Sequence, residues 1–148
     1  MPYTHLLVPS DGSELSLAAV RHAVELARVL GARITFLHAQ ASVPIPVMGM
    51  GEMLDPNTMD VLLAASRSDS ERTLAEAAAV ASAAAVPATG ERVSSDLPHR
   101  AIVEAAQRLG CDLIVMASHG RRGLSGLLIG SETQRVLVQA PCPVLVVR

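Results

Sequence analysis

Apolar residues along this 148-residue chain recur with two spacings that alternate from one end to the other. Short, nearly continuous runs stop at turn residues. Each is followed by a stretch in which apolar side chains return every three or four positions. His5-Leu6-Leu7-Val8 is the first run and ends at Pro9-Ser10-Asp11-Gly12-Ser13; such a run reads as a buried strand. Over Glu14–Leu30 the residues Leu15, Ala19, Val20, Ala23, Leu26, Ala27 and Leu30 share one helical face, with Ser13 placed as N-cap and Gly31 as the stop. Arg33–Ala41 gives a second strand, Thr58–Val86 a long helix that ends before Pro87, and Thr89–Val93 a third strand. Asp96-Leu97-Pro98 opens a helix that continues to Leu109 and stops at Gly110, since proline is tolerated in a first turn. Asp112–Ala117 reads as a fourth strand, Gly130-Ser131 starts a last helix to about Gln139, and Pro143–Val147 reads as a fifth strand.

Strands that alternate with helices over short links predict a parallel sheet covered on both faces. Right-handed crossovers make that one doubly wound, five-stranded α/β domain over residues 1–148. Half the residues are hydrophobic, yet only Tyr3 and Phe36 are aromatic, so its core is aliphatic. One stretch is irregular. Residues 42–57 (SVPIPVMGMGEMLDPN) hold three Pro, two Gly and three Met, too long for an ordinary connection, and read as a flexible apolar flap.

Composition removes several function classes. All twelve basic residues are Arg, which excludes a Schiff-base lysine, a Walker-type phosphate loop and the kinase lysine. A net charge of −2 with two aromatics does not make a nucleic-acid platform. Cys111 and Cys142 are too few for a disulfide framework or a structural zinc site. Each precedes an apolar strand, so the two read either as a redox pair or, the favoured reading, as inert buried thiols. The N-terminus carries no basic region followed by a long apolar stretch, and the Ala-rich run from Leu74 is broken by Glu76 and Ser82. Neither a signal peptide nor a membrane span is expected, and the cytoplasm is the expected compartment.

In an open parallel sheet, ligands bind beyond the carboxyl ends of the strands, so chemistry is sought after the first and fourth. The segment Ala117-Ser118-His119-Gly120-Arg121-Arg122-Gly123-Leu124-Ser125-Gly126-Leu127-Leu128-Ile129-Gly130-Ser131 leaves a buried strand, carries four glycines and delivers the chain to a helix start. Glycines let backbone amides approach an anion, and a helix N-terminus adds unpaired N–H groups and positive potential. Such a segment can hold phosphate without lysine, or its glycines can serve tight turns alone.

With VPSDGS after the first strand, CDLIVMASHGRRGLSGLLIGS around the fourth and the ending APCPVLVV, the chain resembles the universal stress protein family over nearly its whole length. The resemblance implies a flavodoxin-like α/β fold with strand order 3-2-1-4-5 and an adenine-nucleotide site. The family's signature is Gly, two residues, Gly, nine residues, Gly, then Ser or Thr. Here Ala117, Gly120, Gly130 and Ser131 stand at those positions, so the spacing is intact and the first glycine is alanine. If Ala117 is extended, its methyl intrudes a little on the phosphates. If the position needs positive φ, alanine is penalised by roughly 1–2 kcal/mol.

The resemblance further implies that Asp11 accepts hydrogen bonds from ribose hydroxyls, the alternative being a carboxylate that holds its own turn. Pro9 and Ala39 would line the adenine slot, with the Ala39 backbone reading the base edge. Met116 would pack on the adenosine or lie in the core, and Gly120, Gly130 and Ser131 would hold phosphates; Arg121 and Arg122 either reach a polyphosphate tail or stay solvated on their loop. The implied ligand is ATP, with Mg²⁺ carried through the phosphates. His119 has no acid partner in the sequence and reads as a loop or ligand contact rather than a catalyst, and Asp112 lies at the opposite end of the sheet. The last strand, residues 143–147, is an apolar edge expected to pair with its copy in a homodimer. An ATP-binding regulatory module of the stress response is therefore the first reading. A slow ATPase and a nucleotide-independent dimeric interaction protein are the alternatives.

Overall fold

A computed structural model of the chain describes residues 2–42, 55–120 and 128–148. The strands β1 (His5–Pro9), β2 (Arg33–Gln40), β3 (Ala88–Ser94), β4 (Leu113–Ala117) and β5 (Val144–Val147) form one parallel sheet in the order β3-β2-β1-β4-β5. Between them run α1 (Glu14–Leu30), α2 (Pro56–Ala83), α3 (Pro98–Leu109) and α4 (Ser131–Gln139). Strand alternation divides the core in two. Leu6, Val8, Ile34, Phe36, Leu113, Val115 and Ala117 pack with α1 and α2, where the one Phe is fully buried. Leu7, Leu37, Ile114 and Met116 pack on the other side with Ile102, Ala105 and Ala106 of α3 and Val136 of α4. The predicted aliphatic doubly wound sheet is what the chain forms, and Ala77 and Ala81 are among the small residues that let α2 approach it. No helix among the described residues is long and apolar enough to cross a membrane.

Several boundaries differ from the sequence pattern, each for a hydrogen-bonding reason. β1 extends to Pro9, because Pro9 still pairs with Leu37. Asp112 lies outside β4. Its carboxylate accepts from the N–H groups of Thr4 and His5 at 2.9 and 3.0 Å and from Thr4 Oγ1 at 2.7 Å, fastening the start of β1 beside β4. Burial works against ionisation there, but these hydrogen bonds outweigh it and hold the carboxyl below its ordinary range. At the same end of the sheet Cys111 and Cys142 meet in the α3–α4 side of the core as free thiols. Burial, then the neighbouring Cys142 and Asp112, pushes the Cys111 thiol up to about 11, which keeps it protonated and unreactive at neutral pH.

α2 begins at Pro56 with Asp55 as N-cap, not at Thr58, so residues 55–57 belong to the helix start rather than to an irregular stretch. Residues 43–54 of that expected flap, with Met48, Met50 and Met53, lie outside the described residues. The far end of α2 stops at Ala83, short of Val86, because the chain closes on itself there. Val86 N–H reaches Ala81 O at 3.0 Å, as Ala32 N–H reaches Ala27 O after α1 and Cys111 N–H reaches Ala106 O after α3. This closure needs one left-handed residue. Gly31 (φ 67°) and Gly110 (φ 65°) supply it twice, but after α2 it is Ala85, at φ 54°. The Ala85→Gly variant is therefore expected to be more stable by about 1 kcal/mol. Chemical denaturation measures it, and an unchanged or lowered midpoint would contradict strain at Ala85.

Candidate functional site

β1 and β4 are neighbours whose connections leave on opposite faces, since α1 packs on one side of the sheet and α4 on the other. This is a switch point, where open parallel sheets as a rule leave a crevice beyond the carboxyl ends of the strands. The loop after β1 is fixed on one wall. Ser10 N–H donates to Leu37 O at 2.9 Å, its hydroxyl meets that of Ser16 at 3.1 Å, and its carbonyl accepts from His38 Nδ1 at 3.0 Å. Gly12 takes φ 79° to complete the turn. Ser13 then caps α1, accepting from Ser16 N–H at 3.2 Å, and its own N–H donates to Asp11 Oδ1 at 3.0 Å. Asp11 thus does hold its own turn, and the same bond orients its carboxylate.

The other wall is the segment after β4, and the two walls touch. A Cβ on Gly120 would lie 2.4 Å from Asp11 Oδ2. A side chain there would have to turn the Asp11 carboxylate aside, so a loop more than a hundred residues away in sequence approaches this glycine closely. Gly130 closes the segment from its far end: its N–H donates to Ser118 O at 2.7 Å, and a Cβ there would stand 3.2–3.3 Å from His119 and the Ser118 carbonyl. Both ends of the glycine-rich stretch are so drawn together beside Asp11. Residues 121–127, including Arg121 and Arg122, lie outside the described residues.

Gly130 is also the N-cap of α4, and among the described residues no side-chain cap bond is made there. Ser131, its first residue, is exposed. Thr133 turns inward and donates its hydroxyl to Ala117 O at 3.0 Å. α3 starts at the same end of the sheet without a cap of its own, and Glu132 fills that role across the gap. Glu132 Oε2 accepts from His99 N–H and from His99 Nδ1, both at 2.8 Å, while Oε1 accepts from Arg135 at 2.7 Å. The positive ends of α3 and α4 therefore differ among the described residues: a carboxylate occupies the first, and no side-chain cap bond is made at the second.

Alternation sorts the remaining candidates. Pro9, Ala39 and Met116 follow Leu7, Leu37 and Ile114 by two residues and so share the α3–α4 side of the sheet; Met116 is buried there. The backbone alternates as well. Because the Leu37 carbonyl points toward β1, the N–H and C=O of Ala39 point the same way, beyond the last β1–β2 pair, Pro9 with Leu37. Ala117 lies on the opposite side, its methyl buried in the α1 core. It pairs with Val147 as ordinary strand and is not among the positive-φ residues. Of the two sequence-based possibilities for Ala117, extended backbone is the one realised. Among the described residues no group of three or more His, Cys, Asp or Glu could hold a metal ion.

The profile of the universal stress protein family matches residues 2–148. The chain belongs to that family. It is 32% identical to a universal stress protein of Methanocaldococcus jannaschii over 99% of this chain and 82% of that one. The solved structure of a second universal stress protein from that organism, 24% identical, has the same fold at a TM-score of 0.82, covering 99% of this chain and 96% of that chain. A universal stress protein solved in complex with cAMP is 27% identical at a TM-score of 0.74, covering 100% of this chain and 99% of that chain.

In this member of the family, sequence reasoning missed His38, His99, Glu132 and Thr133. Their partners stand 28, 33 and 16 positions away in sequence, so no local spacing marks them. One signal was present: α3 opens without a capping side chain, which asks for a donor of negative charge from elsewhere. Two substitutions test the geometry. Gly120→Ala must turn the Asp11 carboxylate aside and, because that is the end of a flexible side chain, is expected to cost about 1 kcal/mol or less of stability. Ala117→Gly should cost about 1 kcal/mol through the lost core methyl and the looser strand. Denaturant midpoints measure both, and an Ala117→Gly chain as stable as the wild type would contradict the buried methyl.

Proposed function

We propose that this chain is an adenine-nucleotide-binding regulatory module of the stress response, acting in the cytoplasm with ATP as its ligand. The observation that carries the reading is the meeting of Asp11 and Gly120 at the switch point, beside the start of α4, whose N-cap is Gly130. Asp11, oriented by Ser13 N–H, would accept hydrogen bonds from the ribose hydroxyls. Pro9, Met116 and the backbone of Ala39 would border the base, which in a chain with two aromatics rests on aliphatic walls and main chain. The glycine backbone at Gly120 and Gly130, with the Ser131 N–H and hydroxyl, would hold phosphate, and Arg121 could reach a longer tail. Ala117 enters through its place at the strand end, with its methyl turned away from that crevice. Mg²⁺ would ride on the phosphate oxygens. The cAMP complex of a relative supports the ligand class. The role is binding rather than turnover: Glu132, the carboxylate adjoining Ser131, is already engaged by His99 and Arg135.

The module would act as a homodimer through residues 143–147. β5 is an edge strand paired only with β4, Leu145 is 42% exposed, and Leu137 and Val138 of α4 are exposed as well. Joining two such edges about a two-fold axis would cover them. Light scattering should give twice the chain mass, and a monomer at micromolar concentration would overturn the dimer.

The ligand is tested by denaturing the purified protein and identifying what it releases, then titrating ATP into the emptied chain. Saturable binding of ATP is expected, weakened by about tenfold or more in Asp11→Ala through loss of charge-assisted bonds to the ribose. An Ala117→Gly chain should bind within about twofold of the wild type, because the methyl packs in the core. An empty protein that ignores added ATP would contradict the proposal and favour the nucleotide-independent dimer. Release of phosphate in a single turnover would favour the slow ATPase.

A further inference from the structure

α4 is lightly anchored. Of its nine residues only Thr133 and Val136 are buried, so little apolar contact fixes the direction of its first turn. Polar bonds do that work in two directions. Thr133 Oγ1 ties the turn down onto the end of β4 through Ala117 O. Glu132 ties it sideways to α3 through the paired 2.8 Å bonds from the His99 backbone and ring. The ring is buried, with a side chain only 11% exposed, and a carboxylate accepting from Nδ1 fixes that nitrogen as the donor. Burial disfavours the Glu132 carboxylate, but the bonds from His99 and Arg135 outweigh that and hold its ionisation below the usual range. Bonds to an ionised acceptor at this length are roughly twice as strong as neutral ones.

We propose that Glu132, braced on His99, is a positioning residue for the phosphate end of the bound nucleotide. The inference rests on the adenine-nucleotide reading above and assigns a pair of residues to one half of that site. Gly130 and Ser131 immediately precede Glu132, so the brace sets where their N–H groups stand relative to Asp11 and Gly120. Backbone donors hold a phosphate oxygen only within about 0.3 Å of an ideal separation near 2.9 Å, and a turn displaced by about 1 Å loses that hold. The base-and-ribose half stands elsewhere. Pro9, Asp11, Ala39 and Met116 are carried by β1, β2 and β4, whose pairing does not involve α4.

Adenosine, AMP and ATP titrated by calorimetry into the wild type, E132A and E132Q separate the two halves. E132A is expected to weaken AMP and ATP by about tenfold while adenosine stays within about twofold. E132Q, whose amide oxygen can still accept both His99 bonds, should restore most of the loss. If E132A does not fold, H99A provides the same comparison, since it removes the ring bond and leaves the backbone bond. Equal losses for adenosine and ATP would reduce the pair to a general structural brace and overturn the inference, as would unchanged binding of all three. Tighter ATP binding in both Glu132 variants would also overturn it, because the carboxylate would then act by charge rather than by placement. A wild-type chain that binds none of the three defeats the nucleotide reading itself, and the inference with it.

Discussion

Right-handed crossovers impose the constraint on which the rest of this molecule depends. With the strand order β3-β2-β1-β4-β5, the connection leaving β1 travels one way across the sheet and the connection leaving β4 travels the other. Each must therefore cross on its own face, and α1 with α2 is separated from α3 with α4. A gap beyond the carboxyl ends of β1 and β4 is the unavoidable result. Asp11 and Gly120 meet across that gap, so closely that a side chain at position 120 would have to turn the Asp11 carboxylate aside.

What can be held there follows from what lines it. The chain has no lysine, so any anion at this end depends on backbone N–H groups, hydroxyls and arginine. Two helices begin near the gap, and their positive ends differ in a single respect. The start of α3 is satisfied by Glu132, a carboxylate borrowed from α4. The start of α4 has Gly130 as its cap and, among the described residues, no side-chain cap bond. The bonds to α3 and Arg135 explain why an acidic residue is tolerated in the first turn of α4: its charge is spent on them.

The fold was legible in the sequence because the two periodicities are long and cleanly separated, from His5–Val8 through Glu14–Leu30 to the last strand. What periodicity could not reveal was closure by hydrogen bonds. Ala85 continues the helical pattern of α2 but sits outside it, because the returning Val86 N–H fixes a left-handed turn there. Asp112 looks like the first residue of β4 but serves as a clasp for Thr4 and His5. In the candidate site, Asp11, Gly120, Gly130 and Ser131 were visible as two separate segments, since turn and glycine chemistry is local. Their contact is a property of the sheet order. The His99–Glu132 bond had no local signature, and the side on which Ala117 lies emerged from its alternation with Leu113 and Val115 once those were seen against α1.

Amide NMR spectra recorded while ATP is added probe the switch-point crevice most directly. Saturable shifts centred on Asp11, Gly12, Gly120 and Gly130 to Glu132 are expected, with Cys111, Asp112 and Cys142 at the far end of the sheet unmoved. Shifts confined to that far end, or spectra that do not change at saturating ATP, would contradict a nucleotide site between β1 and β4.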